Sequence, residues 1–134
     1  VINLTDIQEF VSDFRNACDK VNWQKMPLEY QEFPLGTCGA MSQILASFLI
    51  ARGYENIEYV AGERNSQSHA WLEIERIAID VTASQFNEIG SKILCQKKSE
   101  WHNQYVEQQR FLCSGELSPN RILVSNAIYC QLNQ

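Results

Sequence analysis

The sequence contains no CxxC pair, no EF-hand loop and no basic run longer than Lys97-Lys98. Nor does any apolar stretch approach the roughly 20 residues that cross a bilayer as a helix. Each absence removes a class. Without a basic stripe, and with a net charge of −5, the chain does not read as a general nucleic-acid binder. Its two histidines, His69 and His102, stand far from any paired cysteines, so the spacing offers no zinc site and calls for no cofactor. The five cysteines are an odd number without the tight spacing of a disulfide scaffold, which favours free thiols and a reducing compartment such as a cytoplasm. The N-terminal residues lack the basic and apolar regions of a secretion signal. The chain opens on Val1, not Met, so a signal or partner domain could lie outside it.

What remains is an ordinary soluble composition, 45% hydrophobic and 20% charged over 134 residues. There is no repeat, low-complexity tract or linker, and a single domain over 1–134 is the simplest organisation. The stretch "TDIQEFVSDFRNACDKV" carries Ile7, Phe10, Val11, Phe14, Cys18 and Val21 at helical spacing, with Thr5 and Gln8 as a capping box. Cys18 then falls on the apolar stripe as a core thiol. A proline-containing loop, "NWQKMPLEYQEFPLG", leads to a second helix opening near Cys38 and ending at Arg52-Gly53. Its apolar residues run nearly all round, which predicts a central helix covered on several sides. Three strands follow, "IEYVAG", "SHAWLEI" and "IAIDV". Beyond Gly90 the pattern weakens. Trp101, Tyr105 and Leu112 suggest a helix through "SEWHNQYVEQQRFL", and Ser118-Pro119 can open another, although Ile122–Val124 would also suit a strand. The fold class is α+β.

The second and third strands are so close in sequence that they almost have to form a hairpin. With a two-residue turn, odd positions of one strand share a face with even positions of the other. One face is then wholly apolar: Ala70, Leu72 and Ile74 with Ile77, Ile79 and Val81. The other holds His69, Trp71 and Glu73 with Ala78, Asp80 and Thr82. A turn at Ile74-Glu75 sets His69 directly opposite Asp80, and one at Glu75-Arg76 makes them diagonal neighbours. Contact is possible in both registers.

An Asp beside a His fixes the ring tautomer and stabilises the imidazolium. A thiol beside that imidazolium, in the first turn of a helix, has its thiolate favoured by two positive potentials. Cys38, His69 and Asp80 thus supply a nucleophile, an acid/base and its orienter for attack on an acyl carbon. The backbone N–H groups of Cys38 and Gly39 could bind the developing oxyanion, and Gly39 would let a substrate backbone approach. A purely structural His–Asp pair would equally satisfy a carboxylate set in an apolar strand. His102, with no carboxylate placed beside it, reads as structural or surface, and Cys95, Cys113 and Cys130 as ordinary thiols.

The order of these residues resembles the transglutaminase-like branch of the papain-like cysteine enzymes. Over residues 34–86 the chain matches that pattern at Gly36, Cys38, Arg52-Gly53, Gly62, His69-Ala70-Trp71, Glu73, Asp80 and Thr82. It departs from it in a short His69–Asp80 segment and in Val81, where a proline often follows the aspartate. The resemblance implies a papain-like core, in which a helix carrying the cysteine packs on a small antiparallel sheet carrying the histidine and aspartate. It implies Cys38 as nucleophile, His69 as general acid/base, Asp80 as orienter and Trp71 packed beside them. It also implies Gln31, upstream of the cysteine, as an oxyanion-hole glutamine. The expected activity proceeds through a thioester on a protein or peptide substrate, in a monomer, without membrane or nucleic acid. Hydrolysis, by a peptidase or a protein glutamine deamidase, is the favoured outcome. A transglutaminase or acyltransferase, or a non-catalytic peptide-binding domain, is the alternative.

Overall fold

The computed structural model describes residues 2–132. Helix α1 (Leu4–Lys20) turns Ile7, Phe10, Val11, Phe14 and Cys18 to the interior, as its periodicity predicts. Its cap is not Thr5. Asn3 Oδ1 accepts the Asp6 N–H at 3.1 Å, and the Gln8 amide donates to the Cys95 carbonyl at 2.8 Å instead of closing a capping box. Asparagine caps as well as threonine does, so the helix begins one residue before the threonine.

Helix α2 (Cys38–Ala51) is followed by β1 (Glu58–Arg64), β2 (Gln67–Ile74) and β3 (Ile77–Asp80). After an irregular stretch come β4 (Leu94–Lys97), β5 (Val106–Leu112) and α3 (Pro119–Leu132). The strands form one antiparallel sheet in the order β4-β3-β2-β1-β5. The described residues thus form an α+β fold, with three α-helices and a five-stranded antiparallel sheet.

The β2–β3 turn is Glu75-Arg76, and both residues have positive φ, 47° and 66°, as a tight two-residue hairpin turn requires. Leu72 pairs with Ile79 and Ile74 with Ile77, which makes His69 and Asp80 diagonal neighbours. The hairpin's apolar face joins the main core. Leu72, Ile74, Ile77, Ile79 and Val81 meet Ile7, Val11 and Phe14 of α1, Met41, Ile44, Leu45 and Leu49 of α2, and Val124 and Ile128 of α3. The opposite face carries a second, smaller cluster of Val60, Trp71, Ala78 and Tyr105, with Trp101 against it.

The stretch expected to be a helix around Trp101 differs. Only His102–Gln104 makes a single 3-10 turn, and Val106–Leu112 pairs with β1 as an edge strand. All of β5 is exposed, so no inward-facing alternation marks it as a strand. At the C-terminal end Ile122–Val124 is helical, within α3.

Arg15 is a buried cation that fastens the chain following β3. Its Nη1 donates to the Val81 carbonyl at 2.9 Å, to Ser84 Oγ at 3.0 Å and to the Lys92 carbonyl at 3.0 Å, while Nε pairs with Asp19 at 2.9 Å. These bonds hold the chain just after Asp80 against α1. Arg15→Met keeps the length of the side chain but strands those carbonyls, and should lower stability by about 3 kcal/mol. A urea titration followed by circular dichroism reads the effect. A loss under about 1 kcal/mol would show that water replaces the guanidinium without penalty.

Candidate active site

Cys38 opens α2 and is half-buried. Thr37 occupies the N-cap position but donates its hydroxyl to the Pro34 carbonyl at 3.0 Å and makes no side-chain cap bond. The ladder starts with Met41 N–H on the Thr37 carbonyl at 2.8 Å, so the N–H groups of Cys38, Gly39 and Ala40 precede it. The sulfur therefore sits at the positive end of a helix whose first amides are not taken up by a cap.

The other half of the site comes from the hairpin. Pairing between β2 and β3 begins only at Leu72–Ile79, so His69–Trp71 has no strand on its β3 side. The backbone of Ala70, in that stretch, helps to lower the Cys38 thiol pKa. His69 Nε2 lies 2.6 Å from Asp80 Oδ2, and both side chains are almost wholly buried. Asp80 Oδ1 accepts the Thr82 N–H at 3.1 Å, which fixes the carboxylate plane. His69 also acts on the Cys38 thiol, so its ring lies beside the sulfur, and with Nε2 committed to Asp80 the nitrogen left to face it is Nδ1. One sulfur, one imidazole and one carboxylate thus converge from three elements.

The electrostatics follow from these contacts. Burial raises the Cys38 pKa, but the hydrogen bond and charge of His69 and the Ala70 backbone bond outweigh it, and the thiol lies below its ordinary value. Burial pushes the Cys95 thiol up to about 12 and Cys113 to about 11, with nothing to offset it at Cys95. For His69, burial disfavours the imidazolium, yet hydrogen bonds to Asp80 and Cys38 and their negative charges raise it to about 9. Burial likewise works against the Asp80 carboxylate, but bonds to His102 and His69 bring it down to about 2. The three shifts together favour a thiolate–imidazolium pair beside a carboxylate at neutral pH.

The remaining residues expected at the site divide. Trp71 is buried against the group, its ring centroid 6.0 Å from that of His69 and 4.7 Å from that of His102. Its indole N–H donates to Glu73 at 3.0 Å, leaving no donor for substrate. Gly39 packs under the Tyr59 hydroxyl, which an added Cβ would meet at 3.1 Å. Gln31 donates its amide to the carbonyls of Met26, at 3.1 Å, and Gln24, at 3.4 Å, so this side chain is bound within its own loop. No hydrogen bond links it to the triad among the described residues.

Three partners escape the sequence. His102 is buried, not on the surface, and its Nε2 reaches Asp80 Oδ2 at 2.8 Å, so a carboxylate does lie beside its ring. Gln85 brings its amide to 3.3 Å from His69 Nδ1 and to 3.3 Å from Thr82 Oγ1, with Phe86 edge-on to the His69 ring. Tyr59 has its pKa raised by burial first and then by the Cys38 charge, which sets its phenol near the sulfur. Gln85 and Phe86 follow Asp80 closely in sequence, a signal available beforehand. His102 carried none.

The ligand atoms of His69, Asp80 and His102 lie within 4.8 Å of one another, a grouping compatible with a metal ion. Each is already a hydrogen-bond partner of another at 2.6–2.8 Å, and we read the group as hydrogen-bonded. A surface cavity of about 570 Å³, lined by Phe10, Asp13, Phe48, Arg52 and Tyr129, lies apart from the triad residues and holds no nucleophile. No described helix is long and apolar enough to cross a membrane. No protein-family model, curated protein or solved structure matches this chain.

Proposed function

We propose that the protein is a cysteine-nucleophile hydrolase of amide bonds, built on a papain-like core of the transglutaminase-like kind. The observation that carries this reading is the convergence of Cys38, His69 and Asp80 with the thiol lowered and the imidazole raised. A buried structural His–Asp pair has no need of a sulfur at an uncapped helix start. Cys38 Sγ attacks the acyl carbon, and the carbonyl π electrons move to the oxygen, where the N–H groups of the first helical turn receive the charge. As the tetrahedral species collapses, the C–N bond breaks and His69 Nδ1–H gives its proton to the departing amine. Water then attacks the thioester, His69 takes its proton, and the thiolate leaves, restoring the pair. Asp80 keeps the ring turned with Nδ1 toward the sulfur throughout.

The amide is a peptide bond in a peptidase and a glutamine side chain in a deamidase, and both reactions use these same steps. Mass spectrometry of candidate proteins after incubation separates them, since backbone cleavage, a gain of about one dalton at glutamine and incorporation of an added amine are distinct products. The nucleophile itself is tested by iodoacetamide labelling at pH 6. Cys38 should react at least tenfold faster than Cys113 or Cys130, because His69 holds its thiol below the ordinary value. Equal rates would leave a binding module on the same fold as the better reading.

A further inference from the structure

Two imidazoles meet on a single carboxylate oxygen. His69 Nε2 and His102 Nε2 lie 2.6 and 2.8 Å from Asp80 Oδ2, and all three side chains are buried. The other nitrogen of His102 is settled by Ser99, whose Oγ is 2.6 Å from Nδ1. That same hydroxyl oxygen accepts the His102 backbone N–H at 3.3 Å, which leaves its proton available to the ring. This bond set fits His102 with its hydrogen on Nε2, accepting from Ser99 at Nδ1 and donating to Asp80. His69 has a second anionic neighbour in Cys38, which favours its charged form.

We propose that His102 is a positioning residue: its Nε2–H bond draws on the Asp80 oxygen that His69 also uses, and so sets how tightly His69 holds its proton. The inference rests on the active-site reading above. Asp80 Oδ1 is independently pinned by the Thr82 N–H, so losing His102 leaves the carboxylate in place while giving Oδ2 wholly to His69. A stronger bond to Asp80 makes the imidazolium a weaker acid, and a weaker acid is a poorer proton donor to a leaving amine. His102 would thus keep His69 competent as the general acid, against the upward pull evident in its pKa of about 9.

The other charged and titratable groups around the cluster are the same in every variant below. His69 faces Cys38 of α2, Asp80 of β3 and the Tyr105 ring, 5.8 Å away between centroids. Arg64, paired with Glu88, covers Trp101 and Tyr105. On its far side His102 lines a surface depression with Glu73, Arg76 and Lys98.

The chain has only two histidines, so NMR of protein labelled with ¹⁵N-histidine resolves each ring. In the full chain, His102→Phe should move the His69 titration midpoint up by about one pH unit. His102→Gln, whose amide can donate to Oδ2, should restore it to within a few tenths. Ser99→Ala, which frees the His102 tautomer, should give a smaller upward shift, and it decides the matter if His102→Phe does not fold. A midpoint that stays or falls in these variants overturns the proposal, as does a wild-type His102 carrying its hydrogen on Nδ1. Failure of the underlying active-site reading is distinguishable. It shows as Cys38 labelling no faster than Cys130 at pH 6, whatever the histidine midpoints do.

Discussion

Cys38→Ala should abolish turnover, by about three orders of magnitude or more, while leaving the melting temperature within a few degrees of the parent. The two halves of this expectation have different causes. Activity goes because no other side chain at the head of α2 can form the thioester; the Tyr59 phenol is nearby, but its pKa is raised. Stability survives because Cys38 is only half-buried and lies outside the main apolar cluster, where Cys18 is the thiol that packs. His69 also loses one of the two anions that hold its proton, so its pKa should fall from about 9 in the variant. Thermal melting and a product assay on the same preparation read both halves. A drop of ten degrees with partial activity would return Cys38 to a packing role.

The hairpin was legible because a two-residue turn ties every position of β2 to a face of β3. The apolar sides of Leu72, Ile74, Ile77 and Ile79 set that parity, and the parity carried His69 and Asp80 to one side without any appeal to function. Sequence left two registers open. The paired positive φ values at Glu75 and Arg76 select the diagonal one, and the bond still closes at 2.6 Å. Helix α2 was equally plain, from Met41 to Leu49, because it is packed against β1, β2 and α3 and is apolar on each of those sides.

His102 was not legible, and the reason is physical. It enters the site from a single 3-10 turn between two short irregular segments, where neither a period of 3.6 nor one of 2 accumulates. Its neighbours Trp101 and Tyr105 are aromatic because they wall the second cluster, not because they line a helix. The edge strand β5 hides for a different reason: both of its faces are exposed, and its identity lies in backbone bonds to β1. Gln31 shows the reverse failure. Its place upstream of Cys38 suited an oxyanion role, but a side-chain amide bonds whatever carbonyls its loop presents, here those of Gln24 and Met26.

Asp80→Asn tests electrostatics with almost no change in shape. The carboxylate is buried beside two imidazoles, and its pKa of about 2 lies below the usual 3.8. A folded-state value below the unfolded one means stability that is present above pH 3.8 and lost as the pH falls through 2, on the order of 2 kcal/mol. Asparagine has no such titration, so acid unfolding curves of parent and variant should converge toward pH 2 and separate above pH 4. The chemical consequence is larger. With the charge gone, the desolvation that already opposes the His69 imidazolium meets less resistance, and the ring pKa should fall well below 9. The thiol then loses its cationic partner, and labelling of Cys38 at pH 6 should slow at least tenfold. Turnover should fall by about two to four orders of magnitude, since an asparagine amide can present its NH₂ to the ring and favour the wrong tautomer. Normal turnover with the altered acid curve would make Asp80 a stabilising anion that the chemistry does not need.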